Sequence, residues 1–157
     1  MKKLLYIGSS VLFAASLSAA PCTDDAVKAT LNSWVNSVGS LNPVTAATTA
    51  YTDTATLMGT VARDSVASVA GREDYFKYFI GTNKKMGAEW NTMRIVNNPG
   101  SSIASGIYTF SITNAQGQVN NIEARYTFAL EETANGCKIT EHHSSAIPAN
   151  AFVARVK

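Results

Sequence analysis

"VNNIEARYTFALEE", residues 119 to 132, places Ile122, Ala124, Tyr126, Phe128 and Leu130 in alternation with Glu123, Arg125 and Thr127. A two-residue period sends the first set to one face of a β-strand and the second to the other. Such a strand covers a core on one side and carries selected polar groups on its reverse. Three further stretches have the same strand-like composition: "AEWNTMRIVNN" (88–98), "SSIASGIYTFSIT" (101–113) and "CKITEHHSSAI" (137–147). Asn-Pro-Gly, Asn-Ala-Gln-Gly and Thr-Ala-Asn-Gly separate the four. These are turn signals, so the C-terminal half is predicted to be an antiparallel meander.

Upstream the period changes. Val27, Leu31, Trp34, Val35 and Val38 recur at helical spacing, with Thr23 as N-cap, Asp24 and Asp25 in the first turn and Gly39 as the stop. Asn42-Pro43 is a second helix start, leading to about Tyr51. "TATLMGTVA" (54–62) reads as a short strand broken at Gly59. "GREDYFKYFIG" (71–81) reads as a third helix with Tyr75, Phe76, Phe79 and Ile80 on its inner face. Helices first and strands afterwards predict an α+β fold, with the helices packed on one face of a curved antiparallel sheet.

Residues 1–20, MKKLLYIGSSVLFAASLSAA, join two lysines, an apolar run and a small-residue end, the pattern of a secretory signal peptide. Its removal leaves residues 21–157 as a single domain of about 137 residues, enough for one core. Loss of Lys2 and Lys3 takes the formal charge from +2 to zero. Without a basic or acidic field, neither nucleic acid nor an anionic membrane surface is an expected partner. A periplasmic or secreted location permits disulfides, and the even count, Cys22 and Cys137, favours one bridge between them.

"EHHSSAIP" (141–148) holds both histidines of the chain. Neighbours on a regular strand face opposite ways, and with no third histidine a three-histidine zinc site cannot form. There is no Gly-x-Ser-x-Gly elbow either. What remains is pairing at i and i+2: His142 with Ser144 on one face, His143 with Ser145 on the other. Each pair sets an imidazole, ordinarily of pKa about 6.5, beside a neutral hydroxyl.

Five fragments in order, "TLMGTVA" (56–62), "EDYFKYFI" (73–80), "SGIYTF" (105–110), "EARYTFAL" (123–130) and "ITEHHSSAIP" (139–148), resemble the association-domain family named after calcium/calmodulin-dependent protein kinase II. That family is a branch of the cone-shaped nuclear transport factor two-like (cystatin-like) superfamily. More narrowly, the ending is similar to that of iota-class carbonic anhydrases. The resemblance implies a lyase that reversibly hydrates carbon dioxide to bicarbonate. It makes Thr60 the pocket threonine, Tyr75 the pocket tyrosine with Tyr78 as runner-up, and the closing motif the source of a histidine and a serine. His143 and Ser145 are the expected pair, on a face shared with Ile139 and Glu141; a bulge would exchange them for His142 and Ser144. Arg125 is a further candidate for that alternative pocket. Gly59 stands where the family commonly has proline, and Glu141 where many relatives have another histidine. The histidine count favours a site without cofactor or metal, zinc or manganese being the alternative. A homodimer is the expected assembly, and a non-catalytic oligomerisation or small-ligand module is the competing function.

Overall fold

The computed structural model describes residues 21–151; the segment expected to be a signal peptide, 1–20, lies outside them. Three helices, α1 (Asp24–Gly39), α2 (Pro43–Thr48) and α3 (Val69–Ile80), pack on a sheet of five strands, β1 (Tyr51–Met58), β2 (Lys85–Asn98), β3 (Ser101–Thr113), β4 (Val119–Thr133) and β5 (Gly136–Ala146). The caps are local chemistry. Thr23 Oγ1 accepts from the Ala26 N–H, and Asn42 Oδ1 from the Thr45 N–H, pairing donors that a helix start leaves free. Ser68 Oγ accepts from the Gly71 N–H, which is why α3 begins at Val69 and includes Gly71 rather than starting there.

The sheet order is β1-β5-β4-β3-β2. The last four strands form the expected meander, while β1 runs parallel to β5 at the edge. β1 begins at Tyr51, not near residue 54, because Tyr51 pairs with Ile139 and the Ile139 N–H donates to the Ala50 carbonyl. This long-range pairing ends α2 after six residues, where local composition extends it to Tyr51. The inward faces carry Tyr108, Phe110, Ala124, Tyr126, Phe128, Leu130 and Ile139, closed over by Val27, Leu31, Trp34 and Val38 of α1.

The sheet bends at a bulge in β2, where Trp90 pairs with Tyr108 and Thr92 with Ile107 so that Asn91 is left over. At the bend the Thr92 carbonyl accepts from the Tyr126 hydroxyl at 2.9 Å. A Cβ on Gly106 would lie 2.0 Å from that carbonyl oxygen, so only glycine allows this curvature. Cys22 and Cys137 form the expected disulfide across a sequence separation of 115. Closing so long a loop is worth about 3 to 5 kcal/mol through the unfolded state. The bridge is also compatible with an oxidising compartment.

Arg72 was not anticipated inside. It is fully buried, and its guanidinium donates to the carbonyls of Ala47 (3.1 Å), Thr52 (2.8 Å), Asp53 (3.3 Å) and Ala55 (2.6 Å). Burial lowers its pKa, opposed by Tyr51 and Asp53.

Candidate functional site

A single irregularity in β5 decides which side chains point inward. Ala129 pairs with Glu141 and Leu130 with Ile139, so Thr140 has no partner across the ladder. This bulge reverses the alternation beyond it. Ile139, His142 and Ser144 are buried, and Glu141 and His143 are exposed. The bulge thus buries the alternative pair, His142 with Ser144, and leaves His143 exposed and Ser145 half-buried.

Ser144 is the centre of a hydroxyl cluster. The Tyr108 hydroxyl donates to Ser144 Oγ at 2.5 Å, and Ser144 Oγ shares a 2.5 Å hydrogen bond with Thr60 Oγ1. Tyr108 arrives from β3, at an inward position of "SGIYTF", and Thr60 from the turn after β1, where the Ala62 N–H donates to the Gly59 carbonyl. Burial pushes the Tyr108 phenol well above its usual pKa, against the opposing hydrogen bonds of Ser144 and Thr60. At neutral pH all three groups therefore keep their protons.

Tyr75 enters from α3. Burial raises its pKa to about 12, opposed first by the Thr60 side chain and then by the backbone at Val61 and Thr60. Its ring stacks on Phe79 at 5.6 Å and meets Phe76 edge-on at 5.2 Å. It lies so close to the backbone at Gly59 that a Cβ there would fall 2.1 Å from a ring carbon. The φ of Gly59 is not positive, so alanine fits the backbone and only the ring obstructs it. Gly59→Ala is expected to drive the ring off the Thr60 turn, at a cost of about 1 to 3 kcal/mol. Thermal unfolding in a double-mutant cycle checks this: the cost should shrink to a few tenths of a kcal/mol in a Tyr75→Ala background.

His142 occupies a second inner position, 2% exposed. Its Nδ1 shares a 2.8 Å hydrogen bond with the Tyr51 hydroxyl, Phe128 stacks on it at 4.0 Å, and Trp34 meets it edge-on at 5.0 Å. Burial first, then neighbouring His143, lowers its pKa to about 3. The imidazole is thus neutral throughout the physiological range. Trp90, Phe76 and Phe110 pack around the tyrosines: Trp90 lies 5.7 Å from Tyr108, Phe110 4.6 Å from Tyr108 and Phe76 6.4 Å from Tyr51.

His143 and Ser145 are not remote from this cluster. A groove of about 400 Å³ is lined by both, together with Gly59, Thr60, Arg63 and Ser144. Two expected residues do not line it. Tyr78 is 74% exposed, because on α3 it falls opposite the face that buries Phe76 and Phe79. Arg125 is exposed on the outer sheet face, level with Ser145 of β5 and Ile107 of β3. Among the described residues no three His, Cys, Asp or Glu side chains lie close enough together to hold a metal ion.

The association-domain family of calcium/calmodulin dependent protein kinase II matches residues 24–148 of the chain, which belongs to that family. A solved structure described as such a domain, from Xanthomonas campestris, is 29% identical. It has a TM-score of 0.73, and the match covers 88% of this chain and 99% of that one. A nuclear transport factor 2-like superfamily protein from Salmonella enterica is 15% identical, with a TM-score of 0.69 over 85% of this chain and 96% of that one. A ketosteroid isomerase-like protein from Erwinia carotovora is 17% identical, with a TM-score of 0.65 over 79% of this chain and 95% of that one. The fold is thus nuclear transport factor 2-like. No curated protein matches the chain.

Proposed function

We propose that this association-domain chain is a carbonic anhydrase-like lyase that hydrates carbon dioxide reversibly to bicarbonate, acting outside the cytoplasm. The observation that carries this reading is the meeting of Thr60, Ser144 and Tyr108 at 2.5 Å separations beside a groove open to solvent. Neutral hydroxyls suit both ends of the reaction. They admit a small uncharged substrate, and they donate to oxygens on which negative charge develops.

In the proposed step, water in the groove attacks the carbon while one C=O π pair moves onto oxygen. Tyr108 donates to Ser144, Ser144 can donate to Thr60, and the Thr60 hydroxyl is left to donate to that oxygen. The proton of the attacking water passes to His143 on the groove wall and from there to solvent. Tyr75 fixes the turn that presents Thr60. This assignment gives the chemistry to side chains, with no bound metal or cofactor. A second copy of the chain is the proposed partner, in keeping with membership of an association-domain family.

The test is a rapid-mixing hydration assay on purified protein before and after exhaustive chelation, with elemental analysis of the same samples. Activity should survive chelation unchanged. Activity that vanishes and returns with zinc or manganese would replace the hydroxyl mechanism with a metal-dependent one. Folded protein inactive in both states would instead be a binding or oligomerisation module.

A further inference from the structure

We infer that Tyr51 holds His142 in the neutral tautomer that carries its proton on Nε2, so that the inner histidine is a fixed hydrogen-bond donor and the proton of the reaction is moved by His143. The tautomer follows from counting polar atoms. Tyr51, His142 and Trp34 are 4%, 2% and 1% exposed. The Tyr51 hydroxyl and His142 Nδ1 share one hydrogen bond of 2.8 Å, and His142 Nε2 has no partner among the described residues.

If Tyr51 donates, its O–H is satisfied, Nδ1 is satisfied, and the Nε2–H alone of this pair is unmatched. If Nδ1–H donates instead, the Tyr51 O–H becomes a buried donor without an acceptor and the Nε2 lone pair is unmatched as well. A buried polar group without a partner keeps its full desolvation cost, so the first arrangement leaves fewer orphans. One neighbour acts in the same direction. The Arg72 guanidinium lies over the Tyr51 ring, 5.2 Å from its centroid, and draws electron density from the phenol, making its O–H the better donor. Burial, with Tyr108, raises the Tyr51 pKa well above its usual value, although Trp34 and Arg72 oppose it, so the phenol keeps the proton it donates.

The groups facing the ring are Tyr51 from β1, Trp34 from α1 and Phe128 from β4, with His143 next along β5 and Arg72 of α3 behind Tyr51. No carboxylate is among them to favour an imidazolium. A ring that cannot gain a proton near neutrality cannot take one from water. His143 is exposed and lines the groove with Thr60. Tyr51 is thus a positioning residue, and the catalytic consequence rests on the hydration reading above, whereas the tautomer does not.

The test is nitrogen-15 NMR of histidine-labelled protein, in which the chain's two histidines are assigned with a His143→Asn variant. The expected spectrum has His142 protonated on Nε2 and bare on Nδ1, unchanged from neutral pH down to about two units below the ordinary imidazole pKa. In Tyr51→Phe that signature should be lost in favour of the Nδ1–H form or a mixture. A His142 protonated on Nδ1 in the native protein would overturn the inference, as would one that titrates near neutrality or a tautomer unmoved by Tyr51→Phe. The native spectrum decides the tautomer even if Tyr51→Phe fails to fold, and it does so whether or not the protein proves to be an anhydrase. For the proton route, the ionisation in the pH profile of kcat/KM should disappear in His143→Asn. Its persistence there would remove His143 from that role.

Discussion

Arg72→Met should lower the unfolding free energy by about 3 to 5 kcal/mol, the order expected when several buried polar groups lose their partners together. For a domain of this size that is a fall in Tm of roughly 10 °C or more. The cause lies in the β1–β5 ladder. Tyr51 pairs with Ile139 and Thr56 with Glu141, so residues 52 to 55 of β1 stand against Thr140 alone. The carbonyls of Thr52, Asp53 and Ala55 in this stretch point to Arg72 instead of a strand, as does that of Ala47 at the end of α2. Methionine fills similar volume and satisfies none of them. Lysine would not rescue the site, because one ammonium cannot reproduce the planar fork that reaches four oxygens. Urea unfolding of native, Met and Lys proteins measures the effect. A Met variant within about 1 kcal/mol of native, below the cost of a single stranded carbonyl, would show that the carbonyls find other partners.

Ser144→Ala carries the largest expected effect on activity, a fall in kcat/KM of about 100- to 1,000-fold, the scale on which a positioned hydroxyl or amide donor contributes to stabilising an oxyanion. Ser144 stands between Tyr108 and Thr60, and without it the inner phenol no longer reaches the groove. The half-buried alternative behaves differently. Ser145→Ala, at the groove wall but outside the cluster, should stay within about threefold of native, less than 1 kcal/mol at the transition state. Equal losses in the two variants would mean that the outer face, not the inner cluster, holds the chemistry.

Much of this architecture is legible in single residues of the sequence. The turns at Gly100, Gly117 and Gly136 and the alternation around Tyr126 define the meander, and Thr23 and Asn42 mark their helix starts. What escapes is non-local. The bulge at Thr140 has no local signature, because threonine is at home in any strand, yet it decides whether His142 or His143 faces inward. Tyr51 looks like the end of an alanine-rich helix until Ile139 claims it as a strand partner. Tyr108 lies within one of the recognised fragments, but its hydroxyl acquires meaning only when β3 and β5 bring it to Ser144. Arg72 resembles an ordinary surface arginine near a helix start, and nothing local reveals that β1 leaves carbonyls for it to bind. Gly59 is the intermediate case: its departure from proline is visible in the sequence, and its physical reason, the ring of Tyr75, only in three dimensions.

In the proposed mechanism the cluster around Ser144 interconverts carbon dioxide and bicarbonate without a bound metal. Loss of oxygen-18 from labelled bicarbonate to water follows that interconversion at chemical equilibrium, and it can be compared directly in chelated native protein and chelated Ser144→Ala. The native protein should speed the loss well above the uncatalysed rate, and Ser144→Ala should return it to near that background. A native protein at background, or a Ser144→Ala variant as fast as native, would rule that mechanism out.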